Sequence, residues 1–171
     1  TMSVWVCIPS KRSVSEVELF VAKWRSMGYM VALFRDAYDE PVACDLLRRG
    51  EYHGYAQAVN LLIKMVFDID KECDWIVTGG DDTDPDPNKR ADEIAAECSE
   101  HFGGYGVDHS MIEAVPILVP GAFGVMQPTG DRFCDGSIDR IAGSPWIGRE
   151  FCERVNSGMG VSASNVTIAR N

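Results

Sequence analysis

The sequence has no closely spaced cysteine pair. Cys7, Cys44, Cys73, Cys98, Cys134 and Cys152 stand apart, and His53, His101 and His109 fall in no ligand spacing beside them. Structural zinc sites depend on such spacing, so zinc is disfavoured and free reduced thiols are expected. No apolar run reaches the roughly 18–20 residues of a membrane span, and no charged-then-apolar leader opens the chain. Thr1 ahead of Met2 reads as a cloning remnant. A cytoplasmic protein with no membrane span is the expectation. Also missing are a Gly-x-Gly-x-x-Gly after the first apolar stretch, a Walker A sequence and a Gly-x-Ser-x-Gly elbow. Dinucleotide, P-loop and serine-hydrolase chemistry therefore lack their key elements. Positive charge is scarce: 16 Lys and Arg face 26 Asp and Glu, for a net charge of −10. That balance disfavours broad phosphate-backbone binding, which needs clustered cations, and leaves room only for a local basic groove.

What is present fits one α/β unit. A chain of 171 residues, 46% hydrophobic and 25% charged, is long enough to bury one core. Val4 to Ile8 reads as a buried strand that ends at the turn Pro9-Ser10-Lys11-Arg12. Ser13 to Met27 has helical spacing, with Ser13 as N-cap and Glu16 three residues on, the capping-box pattern. Gly28 ends that helix, and Tyr29 to Phe34 forms a second strand closing at Arg35-Asp36. Strand, helix, strand in about thirty residues is a βαβ unit with parallel pairing.

Asp45 to Gly50 reads as an irregular or short-strand connection. Tyr55, Ala58, Val59, Leu62, Ile63 and Val66 then mark one face of a helix from Gly54 to about Phe67. A third strand covers Trp75 to Thr78, and a helix runs from Asp92 to His101, broken by Gly103-Gly104-Tyr105-Gly106. Ile117 to Val119 and Gly124 to Met126 read as later strands. Ser144 to Phe151 reads as a turn entering a helix that stops near Gly158, and residues 161–171 form a small polar tail.

The chemistry gathers after the third strand. Ile76-Val77-Thr78 feeds into Gly79-Gly80, and Asp81, Asp82, Asp84 and Asp86 follow, broken by prolines that forbid a helix. An open α/β sheet presents its ligand-binding groups at the carboxyl ends of its strands. Asp-rich turns there suit hard divalent cations, and a bridging cation reconciles an acidic site with an anionic substrate. Pro9-Ser10-Lys11-Arg12 and Asp36 end the first two strands on the same edge. Lys11 or Arg12 could hold a phosphate or be plain surface charge; Asp36 could meet a ribose or base or simply cap a turn.

The order of these parts resembles the metal-dependent nucleotide-sugar glycosyltransferases of the GT-A fold, near the broad inverting family-2 type. The counterparts are Pro9-Ser10, Asp36, the segment from Gly50 to Asn60, and Asp81-Asp82-Thr83-Asp84, and the likeness covers most of residues 4 to 160. Gln127 to Arg132 and Ser144 to Arg149 are similar to segments of small virus-borne transferases, some of which glycosylate modified DNA bases.

The resemblance implies a single Rossmann-like GT-A domain with a mostly parallel central sheet flanked by helices. Its nucleotide-binding half would be residues 1–90 and its acceptor half 91–160. It implies Mn²⁺ or Mg²⁺ held by Asp82 and Asp84 with Asp81 nearby. Pro9, Ser10, Asp36, Tyr55 and Asn60 would line the nucleotide, with Lys11 or Arg12 near phosphate. Gln127, Ser144 and Trp146 would border the acceptor, a glycan or a modified nucleobase, and Asp131 would be the general base. The expected reaction is hexosyl transfer from a UDP-sugar to an acceptor hydroxyl. After Glu153 the chain has no Asp, Glu or His. Either Asp131, Asp135, Asp139 or Glu150 supplies the catalytic carboxylate, or the chain is shortened. A nucleotidyltransferase and a catalytically incomplete nucleotide-sugar-binding module are the alternatives, and a homo-oligomer is left open.

Overall fold

Val4, Val6 and Ile8 alternate with Trp5 and Cys7, so the first strand is apolar on both faces and belongs inside a sheet covered on both sides. The computed structural model describes residues 2–108, 115–127 and 144–158. In chain order its elements are β1 (Ser3–Pro9), α1 (Val14–Ser26), β2 (Met30–Asp36), β3 (Leu46–Gly50), α2 (Tyr55–Ile69), β4 (Cys73–Val77) and α3 (Ala91–His101). There follow β5 (Gly104–Asp108), β6 (Val115–Val119), β7 (Val125–Met126), β8 (Trp146–Gly148) and α4 (Arg149–Gly158). No helix among the described residues is long and apolar enough to cross a membrane.

Six strands form one sheet in the order β3-β2-β1-β4-β8-β7. β1 pairs in parallel with β2 on one side and β4 on the other, and β3 pairs in parallel with β2. β8 runs antiparallel to β4, with Ile147 opposite Ile76, and β7 runs antiparallel to β8. The sheet is therefore mixed, not mostly parallel as expected. Parallel pairing needs a crossover that carries the chain back over a sheet face. Here Trp146–Gly148 docks on the open edge of β4 in the opposite sense and runs straight into α4. A three-residue strand behind Ser144-Pro145 has too little pattern to announce itself, and it had read as a turn.

Period-two alternation divides the core. Val4, Val6, Ile8, Val31 and Leu33 pack with Val17, Val21 and Trp24 of α1 and with Ala95 and Cys98 of α3. Trp5, Cys7, Ala32, Phe34 and Ile76 pack on the opposite face with Val59, Leu62, Ile63 and Val66 of α2. Helices thus cover both faces, the layering that an interior apolar strand requires. α1 opens with the expected capping box: Ser13 Oγ accepts from the Glu16 amide while the Glu16 carboxylate accepts from the Ser13 amide. β5 and β6 pair antiparallel as a separate two-stranded sheet. The glycines of 103–106 do end α3, but Gly104 already opens β5, a strand hidden by its two glycines.

Candidate functional site

Strand order sets the site. β2 and β3 extend to one side of β1 and β4 to the other, so the chain reverses direction across the sheet between β1 and β4. The loops leaving the carboxyl ends of these neighbouring strands lie side by side, at the edge where an open α/β sheet usually places its ligands. In this chain they also meet. Ser10, buried just past β1, donates from Oγ to Asp81 Oδ2 at 2.6 Å, and Arg12 Nε lies 3.0 Å from Asp81 Oδ1. Ser10 Oγ in turn accepts from the Arg12 amide at 3.3 Å. The hydrogen bond and charge of Asp81 hold the exposed Arg12 guanidinium more firmly in its charged form. Lys11 is exposed and makes no ion pair among the described residues. Pro9 closes β1 opposite Phe34.

Asp36 closes β2, where its carboxylate accepts from the amides of Tyr38 at 3.1 Å and Tyr52 at 3.3 Å. These bonds tie the exit of β2 to the segment after β3. Tyr55 begins α2 and accepts from the Gly79 amide at 3.0 Å. Burial raises the pKa of that phenol, partly offset by its bonds to Thr78 and Gly79. Asn60 sits half-buried on α2. Gly79 itself has φ +149°, a conformation side chains rarely adopt, and a Cβ there would stand 2.7 Å from Ser144 Oγ. The glycine lets the acidic loop and the Ser144 segment approach this closely.

Beyond this junction lies a cleft of about 1030 Å³. Asp82, Asp84 and Asp86 of the acidic loop line it together with Gln127, Ser144 and Trp146 and with Glu97 and His101 of α3. The floor is aromatic. Trp24 and Tyr29 meet edge-on at 4.8 Å between centroids, and Tyr29 meets Trp146 at 5.9 Å. Burial, with Asp86 nearby, keeps the Tyr29 phenol protonated. Lys23 pairs with Asp84 at 2.7 Å and Lys89 with Glu97 at 2.6 Å, whereas Asp82 forms no ion pair among the described residues.

The structure thus separates the sequence-derived residues into two groups. Asp82, Asp84, Gln127, Ser144 and Trp146 line one cleft, while Pro9, Ser10, Lys11, Arg12, Asp36, Tyr55 and Asn60 lie outside that lining. Asp81 belongs to the junction between them. Asp131, like Asp135 and Asp139, lies outside the described residues. Sequence reasoning missed Tyr29, which had read as part of a strand, and Trp24, which had read as part of a helix stripe. It also missed Arg35, whose guanidinium is buried beneath the loops. A charged residue ending an otherwise apolar strand was the available signal.

For a divalent cation, the donors are of the right kind, hard carboxylate oxygens. Among the described residues no three His, Cys, Asp or Glu groups gather to hold an ion. Asp81 is engaged with Ser10 and Arg12, and Asp84 with Lys23. A site in which one or two carboxylates share the ion with substrate phosphates asks only for what Asp82 and Asp84 offer. Among the described residues the cysteines are not poised as nucleophiles. Burial pushes the thiols of Cys73 and Cys152 up to about 12 and that of Cys98 to about 11, with Cys7 and Cys44 also raised. All five stay protonated near neutral pH, and thiolate is the reactive form. Neither a family model nor a curated protein matches this sequence.

Proposed function

We propose that the chain is a Rossmann-like GT-A glycosyltransferase that moves a hexosyl group from a nucleotide-diphosphate sugar, UDP-linked, to an acceptor hydroxyl. One observation carries the reading: the loops after β1 and β4 are joined by Ser10 and Asp81 where the strand order reverses, beside a large cleft rimmed by Asp82 and Asp84. Pro9, Ser10, Asp36, Tyr55 and Asn60 serve the nucleotide side, with Lys11 or Arg12 near the phosphate. Gln127, Ser144 and Trp146 serve the acceptor side of the cleft.

Asp82 and Asp84 are the residues that would hold Mn²⁺ or Mg²⁺, Asp84 exchanging its Lys23 partner for the ion. When bound, such a cation neutralises charge on the departing diphosphate. The protein's own tasks are to orient donor and acceptor across the Gly79–Ser144 contact and to exclude water over the aromatic floor. Inverting transfer also needs a carboxylate to take the acceptor's proton, and Asp131 is that residue in this proposal.

Calorimetry of UDP with and without Mn²⁺ tests the site. Asp82→Ala is expected to abolish the metal-dependent part of binding while leaving the melting temperature within a few degrees. Unchanged binding in that variant would remove the assignment. A second reading, a nucleotide-sugar-binding module without turnover, is favoured by the ion pairs that already occupy Asp81 and Asp84. Product analysis with UDP-, GDP- and CMP-sugars separates the two, since a module binds donor and releases no sugar.

A further inference from the structure

Arg35 is 2% exposed at the end of β2, on the same face as Val31 and Leu33. It pairs with no carboxylate among the described residues. Its fork is spent on backbone carbonyls. Nε donates to the Glu40 carbonyl at 2.7 Å, Nη1 to that of Ser10 at 3.4 Å, and Nη2 to that of Arg12 at 3.1 Å. A buried cation without a counter-ion loses its hydration, and carbonyl dipoles return only part of it. Packing alone gives no reason for such a residue.

Its acceptors explain the position. Two of the three carbonyls belong to the loop after β1, and the third to the loop after β2. The bonded carbonyls of Ser10 and Arg12 belong to the two residues whose side chains reach Asp81 in the loop after β4. We propose that Arg35 is the positioning residue of the ligand edge: it locks the loops after β1 and β2 into one body, aims Ser10 and Arg12 at Asp81, and places a fixed positive charge beneath the surface that receives a diphosphate. This inference rests on the nucleotide-site reading for its ligand, although its loop-locking half stands on geometry alone. The three bonds leave three different nitrogens of the guanidinium, whereas the donors of lysine radiate from a single nitrogen, so lysine retains the charge and loses the lock.

The test compares Arg35→Lys and Arg35→Gln with the wild-type chain by calorimetry of UDP and of uridine in Mn²⁺, and by amide hydrogen exchange. The Ser10 amide donates to the Phe34 carbonyl and the Arg12 amide to Ser10 Oγ, so both report the state of the loop. In Arg35→Lys these two amides are expected to exchange faster while those of α2 keep wild-type protection. UDP affinity is expected to fall about tenfold because the loop after β1 is no longer held in place, with uridine affinity unchanged. Arg35→Gln, which removes the charge, is expected to lose more UDP affinity, and it carries the same readouts should the lysine variant not fold. Exchange that rises evenly across the whole chain, or a UDP-to-uridine ratio equal to wild type, would overturn the proposal. A wild-type chain that binds neither compound removes the nucleotide reading, and exchange at residues 10–12 then decides the loop lock by itself.

Discussion

Asp81, Asp82 and Asp84 are chemically identical side chains with three different environments. Asp81 is held by Ser10 and Arg12, Asp84 is paired to Lys23, and Asp82 faces the cleft without an ion-pair partner among the described residues. Gly79 governs how this acidic loop leaves β4. Its positive φ and its closeness to Ser144 leave no room for a side chain. Gly79→Ala is expected to cost about 1–3 kcal/mol through backbone strain, seen as a lower melting temperature. Adding Ser144→Ala should relieve the contact and recover only part of the loss, because the φ strain persists. A Gly79→Ala chain as stable as wild type would show that the loop shifts freely, and the geometry of Asp82 would then carry no weight.

Among the elements, α1 and α2 are built differently at their entrances. α1 has a reciprocal capping box, whereas α2 begins after Gly54 with no side-chain cap and is held by its apolar face on β1, β2 and β4. Ser13→Ala is therefore expected to destabilise the chain by ~1 kcal/mol, lowering the melting temperature by about 2–4 °C in a protein this size. Circular dichroism melts would check this, and an unchanged midpoint would mean that packing of Val17, Val21 and Trp24 alone holds the helix. α1 also carries Lys23, so fraying at its entrance should leave the Lys23–Asp84 pair in place, nearly three turns further on. β8 shows the opposite economy: three residues, all buried, complete the wall of the cleft by pairing with both β4 and β7.

For the molecule as a whole, excess negative charge makes stability depend on pH through particular carboxylates. Asp74 is the clearest case. Burial raises its pKa, and Glu150, Glu72 and Glu153 add to the effect, while Arg149 acts against them. A carboxyl whose pKa is raised on folding contributes stability that is fully present below its unfolded value, about 3.9, and is lost as pH rises through its folded value. Ionised Asp74 is thus a net cost at neutral pH. Asp74→Asn is expected to raise the melting temperature at pH 7, with the advantage shrinking to nothing in acid below the ordinary carboxylate range. A constant difference across that range would exclude the ionisation of Asp74 as its source.

Local pattern was enough for much of this fold. The capping box of Ser13 and Glu16, the apolar stripe of Tyr55 to Val66 and the strand-helix-strand opening were all legible, because each is encoded within a few turns of chain. The carboxyl-edge positions of Ser10, Asp36 and the acidic loop followed from where those strands end. Pairing direction was not legible, since nothing within Trp146-Ile147-Gly148 states which edge it joins or in which sense. The choice among the aspartates was equally hidden. Asp81 is turned aside by Ser10 and Arg12, which lie about seventy residues away and reach it only because β1 and β4 are neighbours. Arg35 read as the end of a strand until tertiary packing put two loops over it. Sequence by itself determined the helices, β1, β2, β4 and the edge that carries the chemistry; tertiary structure decided how the aspartates differ, because partners distant in the chain engage Asp81 and Asp84.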